Sequence, residues 1–274
     1  MGDEIPVEFI IINQGTNEYS YRNRSYDRSG RMEEYRLMAK TETGQTVPDP
    51  RAHYIGGFAG GLSGKGRLEP GHSFTKTIAL NRWALLKAPG QYQVTGVYVA
   101  EDGRQQVVSE PLSITVMPRS EAAMLAYVEQ LDVQRKATPK HGHDETVRKL
   151  MYTGHPSIIP ILLETFYEPQ SGFWEAEAFL YYLPRNEQTK KAIMDAARKR
   201  GLASGMPYVL TQYGCGTKEL TPLIERSLAP DSRLRPVGRW RPSSTLTTPS
   251  PQGWLPLRPI PRMMPALKPS MLWL

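Results

Sequence analysis

The chain has 274 residues and a formal net charge of +7, and 39% of its residues are hydrophobic and 22% charged. This length is enough for one large domain or two ordinary ones. The composition excludes a collagen-like or wholly disordered chain, and the apolar runs are too short to cross a bilayer as helices. We therefore expect a globular chain without a membrane span.

The positive charge is concentrated at the C-terminal end. Residues 233–274 contain six arginines, one lysine and no acidic residue, so the rest of the chain is neutral. Binding to a nucleic acid depends on a row of cations that neutralises successive phosphates. A neutral body has no such row, and we do not expect a nucleic acid as partner.

Two features bear on the compartment. The single cysteine, Cys215, excludes an internal disulfide and a zinc site made of several cysteines. The N-terminus shows no basic stretch and no small-residue cleavage site, so no export signal is visible. However, the strand pattern begins only about five residues after the N-terminus, which would also be expected if upstream sequence were missing from the chain. Both a cytoplasmic and an extracytoplasmic location stay open.

Residues 1–117 have the hydrophobic pattern of strands. Apolar residues alternate with polar ones, and Gly and Pro punctuate the segments, as expected for half-buried strands. The alternating apolar positions are Ile5, Val7, Phe9 and Ile11; Tyr35, Leu37 and Ala39; Phe74, Ile78 and Leu80; Tyr92, Val94 and Tyr98; and Leu112, Ile114 and Val116. The pattern predicts an all-β sandwich of about seven strands.

Two motifs in this region resemble those of a known fold. Residues 89–94 read Pro-Gly-Gln-Tyr-Gln-Val, which resembles the tyrosine corner of immunoglobulin-like sandwiches, with Val94 where antibody domains have cysteine. Together with Leu-Glu-Pro-Gly at 68–71 and with Trp83, the motif resembles bacterial immunoglobulin-like domains of the intracellular proteinase inhibitor kind. The resemblance covers about residues 60–117 and implies the fold. No reactive loop matches, so it does not carry over inhibition.

After Pro118 the hydrophobic period changes from two to about 3.6. A helix with Ser120 as its N-cap and a linker are predicted over residues 118–142. Short helices follow at about 144–152, 156–167, 173–183, 187–200, 204–213 and 218–229. Connections of two to four residues predict antiparallel helical hairpins that contact their neighbours.

An internal repeat lies within residues 143–231. Residues 158–163 (Ile-Ile-Pro-Ile-Leu-Leu) align with residues 220–225 (Leu-Thr-Pro-Leu-Ile-Glu), each after a glycine-containing turn. The pattern resembles HEAT-like repeats, although the intermediate copy near Ile193 lacks the proline. The resemblance implies an all-α solenoid of stacked hairpins, because one such unit cannot bury its apolar face alone.

The tail, residues 232–274, has no strand or helix period. It contains nine of the 24 prolines and isolated tryptophans. Such a composition predicts disorder. It is also typical of a GC-rich gene translated in the wrong frame, and the sequence leaves both explanations open.

Three motifs have residue types used in catalysis or ligand binding. The glycine-rich run 60–66 lacks the first glycine and the Ser or Thr of a phosphate-binding loop and leads into a strand, so we interpret it as a sandwich loop. His141, His143 and Asp144 have the chemistry of metal ligands, but a polar linker at a helix start explains them. Cys215 lies between two glycines in an inter-helix turn and lacks the preceding strand of a nucleophile elbow.

Aromatic residues provide the candidate binding sites. Tyr19, Tyr21, Tyr26 and Tyr35 interleave with arginines, which favours an exposed strand over a base-stacking surface. A helical aromatic cluster covers residues 166–182. Packing between hairpins explains most of this cluster, while Phe173 and Trp174 are candidates for a binding groove. Tyr54 and Phe58 are the other two candidate partner-binding residues.

Three functions stay open. The first is a non-catalytic protein-binding or scaffold protein, with a protein partner and no cofactor. The second is a regulatory or inhibitory appendage of an extracytoplasmic hydrolase. The third is a metal-dependent hydrolase that uses His141, His143 and Asp144. The absence of a matched catalytic motif in the sequence favours the first, although folds alone do not determine function.

Overall fold

The computed structural model describes residues 1–24, 31–32, 34–52, 63–100, 106–138, 143–168, 173–228 and 263–269. These residues form two compact units. The first contains the strands up to Pro118, and the second contains the helices that follow Arg119. The predicted order of an antiparallel β-rich region and a helical region is confirmed.

The β-rich unit is built from antiparallel pairs. The strands are β1 (Pro6–Asn13), β2 (Tyr19–Arg24), β3 (Tyr35–Thr41), β4 (Ser63–Leu68), β5 (Ser73–Ala79), β6 (Gly90–Val99), β7 (Gln106–Val108), β8 (Leu112–Val116) and β9 (Met263–Pro269). β1 pairs with β5 and β9, β2 with β4, and β3 with β6. The second edge of β6 pairs with β8 near its start and with β7 near its end. Residues 101–105, between β6 and β7, lie outside the described residues.

The strands bury one side in a shared core. Along β3, the buried residues Tyr35, Leu37 and Ala39 alternate with exposed ones, as predicted. β1 follows the same period, and its other side is half-buried rather than exposed. Each large apolar side chain that is removed from water stabilises the fold by about 1.5–3 kcal/mol. The core also includes residues from β2, β4, β5, β6 and β8.

The helical unit follows the predicted boundaries closely. Its helices are α1 (Glu121–Ala137), α2 (His143–Thr153), α3 (Ile159–Thr165), α4 (Phe173–Glu177), α5 (Glu187–Arg200), α6 (Met206–Gln212) and α7 (Thr217–Leu228). A 3-10 turn (Pro156–Ile158) precedes α3, and a π-helical turn (Ala178–Tyr182) continues α4. The Ser120 Oγ accepts a hydrogen bond from the Ala123 amide at 3.2 Å, which caps α1 as expected. No helix within the described ranges has the length and apolar character that a membrane crossing requires.

Helices of the second unit contact their neighbours along the chain. α1 contacts α2, and α2 contacts α4 and the π-helical turn, which α6 also contacts. α3 contacts α4 and α5, and α5 contacts α6.

A buried arginine joins α1 to α3. Arg135 is 2% exposed, and its guanidinium lies 2.8 Å from Asp132, 3.1 Å from Glu164 and 2.9 Å from Glu168. Three carboxylates thus satisfy a charge that would otherwise be costly to bury. Burial works against ionisation of Asp132, but hydrogen bonds from Lys136 and Arg135 outweigh it and lower the pKa of that carboxyl.

One segment of the tail departs from the prediction of disorder. Met263–Pro269 forms β9, which pairs with β1 over seven residue pairs. The physical reason is the free edge of β1, whose backbone groups require partners that β5 on the other edge cannot provide. The other residues of the 232–274 tail lie outside the described ranges, and their predicted disorder stays a prediction.

The Arg135 cluster leads to a stability prediction. Arg135→Met removes the shared counter-charge of Asp132, Glu164 and Glu168, whose side chains are 17%, 55% and 24% exposed. Because these carboxylates stay partly in water, the substitution should lower the free energy of unfolding by about 1–3 kcal/mol. Urea unfolding followed by circular dichroism measures this change.

The matched control is Arg198→Met. Arg198 also pairs with a carboxylate three residues away, Asp195 at 3.1 Å, but both side chains are more than half exposed. An exposed pair contributes about 0–1 kcal/mol. Equal losses for the two variants would contradict a special role for Arg135.

Candidate partner-binding surface

The first candidate pair, Phe173 and Trp174, begins helix α4. Their rings pack edge to face, with centroids 4.9 Å apart and planes at 85°. Phe173 is 36% exposed, and Trp174 is half-buried. The structure therefore brings these two predicted residues together at a partly exposed position. An edge-to-face pair holds both rings rigidly, and this reduces the entropy lost when another surface covers them.

The remaining aromatic residues of this region belong to the interior. Phe166 stacks on Phe179 at 5.8 Å, and Tyr152 packs against Tyr182 at 5.7 Å. The Tyr213 hydroxyl donates a hydrogen bond to the Phe179 carbonyl at 2.9 Å. These contacts explain most of the cluster as packing between hairpins, as predicted, and they leave Phe173 as its exposed member.

Tyr167 shows how a polar tip is accommodated in this interior. Its hydroxyl donates to the Gly201 carbonyl at 2.8 Å, and the Arg200 guanidinium lies 3.9 Å from the ring centroid. Burial raises the pKa of Tyr167 to about 12, although the charge of Arg200 acts in the opposite direction. The hydroxyl is therefore a structural donor at neutral pH.

The other two candidate residues, Tyr54 and Phe58, lie outside the described residues. Their proposed role stays a prediction. Among the residues of the helical unit that the structure describes, Tyr208 on α6 is a further exposed aromatic, with 51% of its surface accessible. Sequence reasoning did not select it, because a single aromatic within a short helix has no distinguishing pattern.

The segment of interleaved tyrosines and arginines is not an exposed strand throughout. Tyr21 and Tyr35 are buried, and burial raises the pKa of both hydroxyls. Arg31 pairs with Asp49 at 2.8 Å, and its guanidinium lies 3.7 Å from the Trp83 ring centroid. These tyrosines and Arg31 therefore belong to the core and to local ion pairs rather than to a base-stacking surface. The prediction of an exposed strand was wrong for Tyr21, whereas burial of Tyr35 agrees with the alternation predicted for its own strand.

The glycine-rich run provides a close packing position. Ser63–Leu68 forms strand β4, and Gly66 lies opposite Tyr21 of β2. A Cβ at position 66 would overlap the Tyr21 ring, which also packs on Phe74 at 4.7 Å. Glycine at this position therefore admits an aromatic ring across the strand pair. The strand agrees with the expectation that no phosphate-binding helix follows, while residues 60–62 lie outside the described ranges.

The side chains of the candidate metal ligands His141, His143 and Asp144 lie outside the part of the chain that the structure describes. No group of three or more His, Cys, Asp or Glu side chains in those residues could hold a metal ion. His141 lies outside them, and of His143 and Asp144 the structure describes only the backbone at the start of α2. The metal-dependent hydrolase stays a prediction.

Cys215 lies in the turn between α6 and α7 and is 4% exposed. Its amide donates to the Leu210 carbonyl at 3.0 Å, which fixes the turn. Burial raises the pKa of the thiol; the charge of Lys190 lowers it by a smaller amount, and the nearby Glu219 and Glu187 raise it further. A raised pKa disfavours the thiolate, which is the nucleophilic form.

A scan against protein-family models finds none that matches this chain, and a search of the curated proteins also finds no match. The immunoglobulin-like and HEAT-like resemblances are therefore predictions. What the chain does must be inferred from its own residues and their geometry.

The contact between Tyr21 and Gly66 predicts a coupled stability effect. Gly66→Ala should lower the free energy of unfolding by about 1–3 kcal/mol, because the Tyr21 ring must move out of a packed position. In a Tyr21→Leu background the same substitution should cost much less, since the obstructing ring is gone. Urea unfolding of the four proteins in this cycle measures the coupling. An equal cost in both backgrounds would contradict the contact.

The environment of Cys215 predicts low reactivity. In the native protein at pH 8, iodoacetamide should alkylate Cys215 many-fold more slowly than it alkylates a cysteine in an unfolded peptide, because the thiol is buried and its pKa is raised. Mass spectrometry at timed intervals measures the rate. Addition of urea should abolish the protection. Rapid alkylation of the folded protein would instead indicate an activated thiol.

Proposed function

We propose that this protein is a non-catalytic binding protein. In this proposal an immunoglobulin-like β-sandwich precedes a HEAT-like stack of three helical hairpins, and the start of α4 contacts a protein partner. The single observation that carries the binding role is the edge-to-face Phe173–Trp174 pair at the start of α4, in which Phe173 is exposed and Trp174 is half-buried. The two fold assignments and the partner each have separate support.

Strand pairing and a local motif support the sandwich. Pairing of β1 with β5, β3 with β6 and β6 with β8 matches the B–E, C–F and F–G pairs of an immunoglobulin-like sandwich. The Tyr92 hydroxyl donates to the Ala88 carbonyl at 2.7 Å, as a tyrosine corner requires. Val94, which replaces the cysteine of antibody domains, is fully buried. Apolar packing then substitutes for a disulfide.

Packing between like-ranked helices supports the stack. The contacts of α2 with α4, of α6 with the π-helical turn and of α3 with α5 suit hairpins stacked in register. Pro160 and Pro222 align in the sequence repeat, although Pro160 lies in the first turn of α3 and Pro222 lies inside α7. α5 contains no proline. A stack of this kind curves into a solenoid, and the concave surface of the solenoid is the one that such proteins use for binding.

The chemistry of the pair at α4 indicates a protein partner. Tryptophan and other large aromatics are enriched at the energetic centres of protein interfaces, because they bury a large area and lose few rotatable bonds. The same unit places Phe166 and Phe179 in its interior, so exposure of Phe173 is not a general property of its aromatic residues.

The test compares two variants in a capture experiment from the source organism. Phe173→Ala combined with Trp174→Ala should weaken binding of the captured protein by about 2 kcal/mol or more, roughly thirtyfold in Kd. Mass spectrometry identifies the captured protein, and titration with the purified partner measures its affinity.

The control is Tyr208→Ala, which removes another exposed aromatic from a neighbouring helix of the same unit. This variant should keep its affinity, and urea midpoints of all variants must stay close to that of the wild type. An unchanged affinity of the Phe173 and Trp174 variant would reject this surface as the binding site.

A further inference from the structure

The second edge of β1 is a place where a strand is added to the sheet. β5 occupies one edge of β1, and β9, from the distant C-terminal tail, occupies the other. The register is antiparallel and continuous, from Val7 opposite Pro269 to Asn13 opposite Met263. β9 also contacts β6 and β7, so it lies in a groove between the β1 edge and those two strands.

The groove favours an extended apolar segment. Along β1 the residues Val7, Phe9 and Ile11 are buried, and the alternate residues Ile10 and Ile12 are half-buried. Both faces of the strand are therefore apolar enough to be covered. Added main-chain hydrogen bonds provide affinity for any extended chain, and side-chain pockets provide the preference.

Charge sets one position of the preferred segment. Glu8 is the one acidic residue of β1, which has no basic residue, and Lys268 of β9 is opposite it in the register. Directly opposed residues of an antiparallel pair are close enough for an opposite charge to stabilise the pair. The tail from residue 233 onward contains no acidic residue, so no like charge opposes Glu8.

The prolines of β9 indicate that the added strand is an edge strand. Pro265 and Pro269 lack an amide donor, and they are tolerated where only one side of a strand needs to form a ladder. β9 has β1 as its only strand partner among the described residues. The prolines thus limit further addition of strands beyond β9.

We propose that the groove formed by the β1 edge, β6 and β7 is a binding site for an extended apolar peptide with a basic residue opposite Glu8. In the free protein its occupant is the segment Met263–Pro269 of the same chain. A peptide of that chemistry binds by displacing this segment. This site belongs to the β-rich unit and is independent of the proposed surface at α4.

Cysteine cross-linking tests the occupant. The full chain with Ile10→Cys and Ala266→Cys has its two cysteines directly opposite in the register. The control has Ile10→Cys with Met264→Cys, which shifts the second cysteine by two residues, about 7 Å along the strand. A disulfide requires Cα atoms within about 7 Å, so the matched pair should cross-link several-fold faster and within the monomer. Equal rates, or a disulfide-linked dimer, would overturn the assignment of this segment to the groove of its own chain.

Peptide labelling tests displacement. The full chain with Ile10→Cys is mixed with a synthetic peptide of residues 263–269 that has cysteine in place of Ala266. The matched peptide should form a mixed disulfide several-fold faster than a control peptide that has cysteine in place of Met264. Native Cys215 is buried and reacts with both peptides alike.

Charge reversal provides the second readout. Lys268→Glu in the chain places a like charge opposite Glu8, which should weaken the resident strand and raise peptide labelling several-fold. Adding Glu8→Lys to that chain restores the opposite charges in the resident pair, and labelling should fall again. The proposal would be overturned by equal labelling rates for the two peptides. It would also be overturned if neither charge reversal changed the labelling rate.

Discussion

Both units depend on one constraint, which is that no strand or helix can bury its own apolar face. In the β-rich unit the strands cover one another across a shared core that includes Phe9, Tyr35 and Val94. In the helical unit the helices cover one another, and Arg135 with its three carboxylates attaches α1 to α3. Where neighbouring elements do not cover an apolar side chain or a strand edge, another segment of the chain or a partner can bind there. The β1 edge and the start of α4 are two such places.

The same constraint explains why several residues with the chemistry of a reactive site have structural roles. Tyr21 covers Gly66, Arg31 lies over Trp83, and Cys215 is buried within a turn. In each case a polar or reactive group is present because its apolar part fills space and its polar part finds a local partner. Residue type alone is therefore a poor guide to catalysis in this chain, and geometry is the better one.

The two proposed binding sites use different physics. At α4, two aromatic rings provide area and rigidity, which suit a folded partner with a complementary pocket. At the β1 edge, the backbone groups that pair with β9 provide directional hydrogen bonds, which suit an extended apolar segment. The two proposed sites would therefore bind different classes of ligand.

Periodicity in the sequence by itself determined the local elements. The alternation of buried and exposed residues in β3 and the bounds of α5 could be predicted, because side chains repeat every two residues in a strand and about every 3.6 residues in a helix. Only the tertiary structure decided the contacts of Tyr21 with Gly66, of Arg135 with Glu164, and of β9 with β1. These contacts join residues that are far apart along the chain, so their formation depends on how whole elements pack. The local sequence does not indicate such contacts: a glycine at position 66 is compatible with a packed aromatic ring and with exposure to solvent.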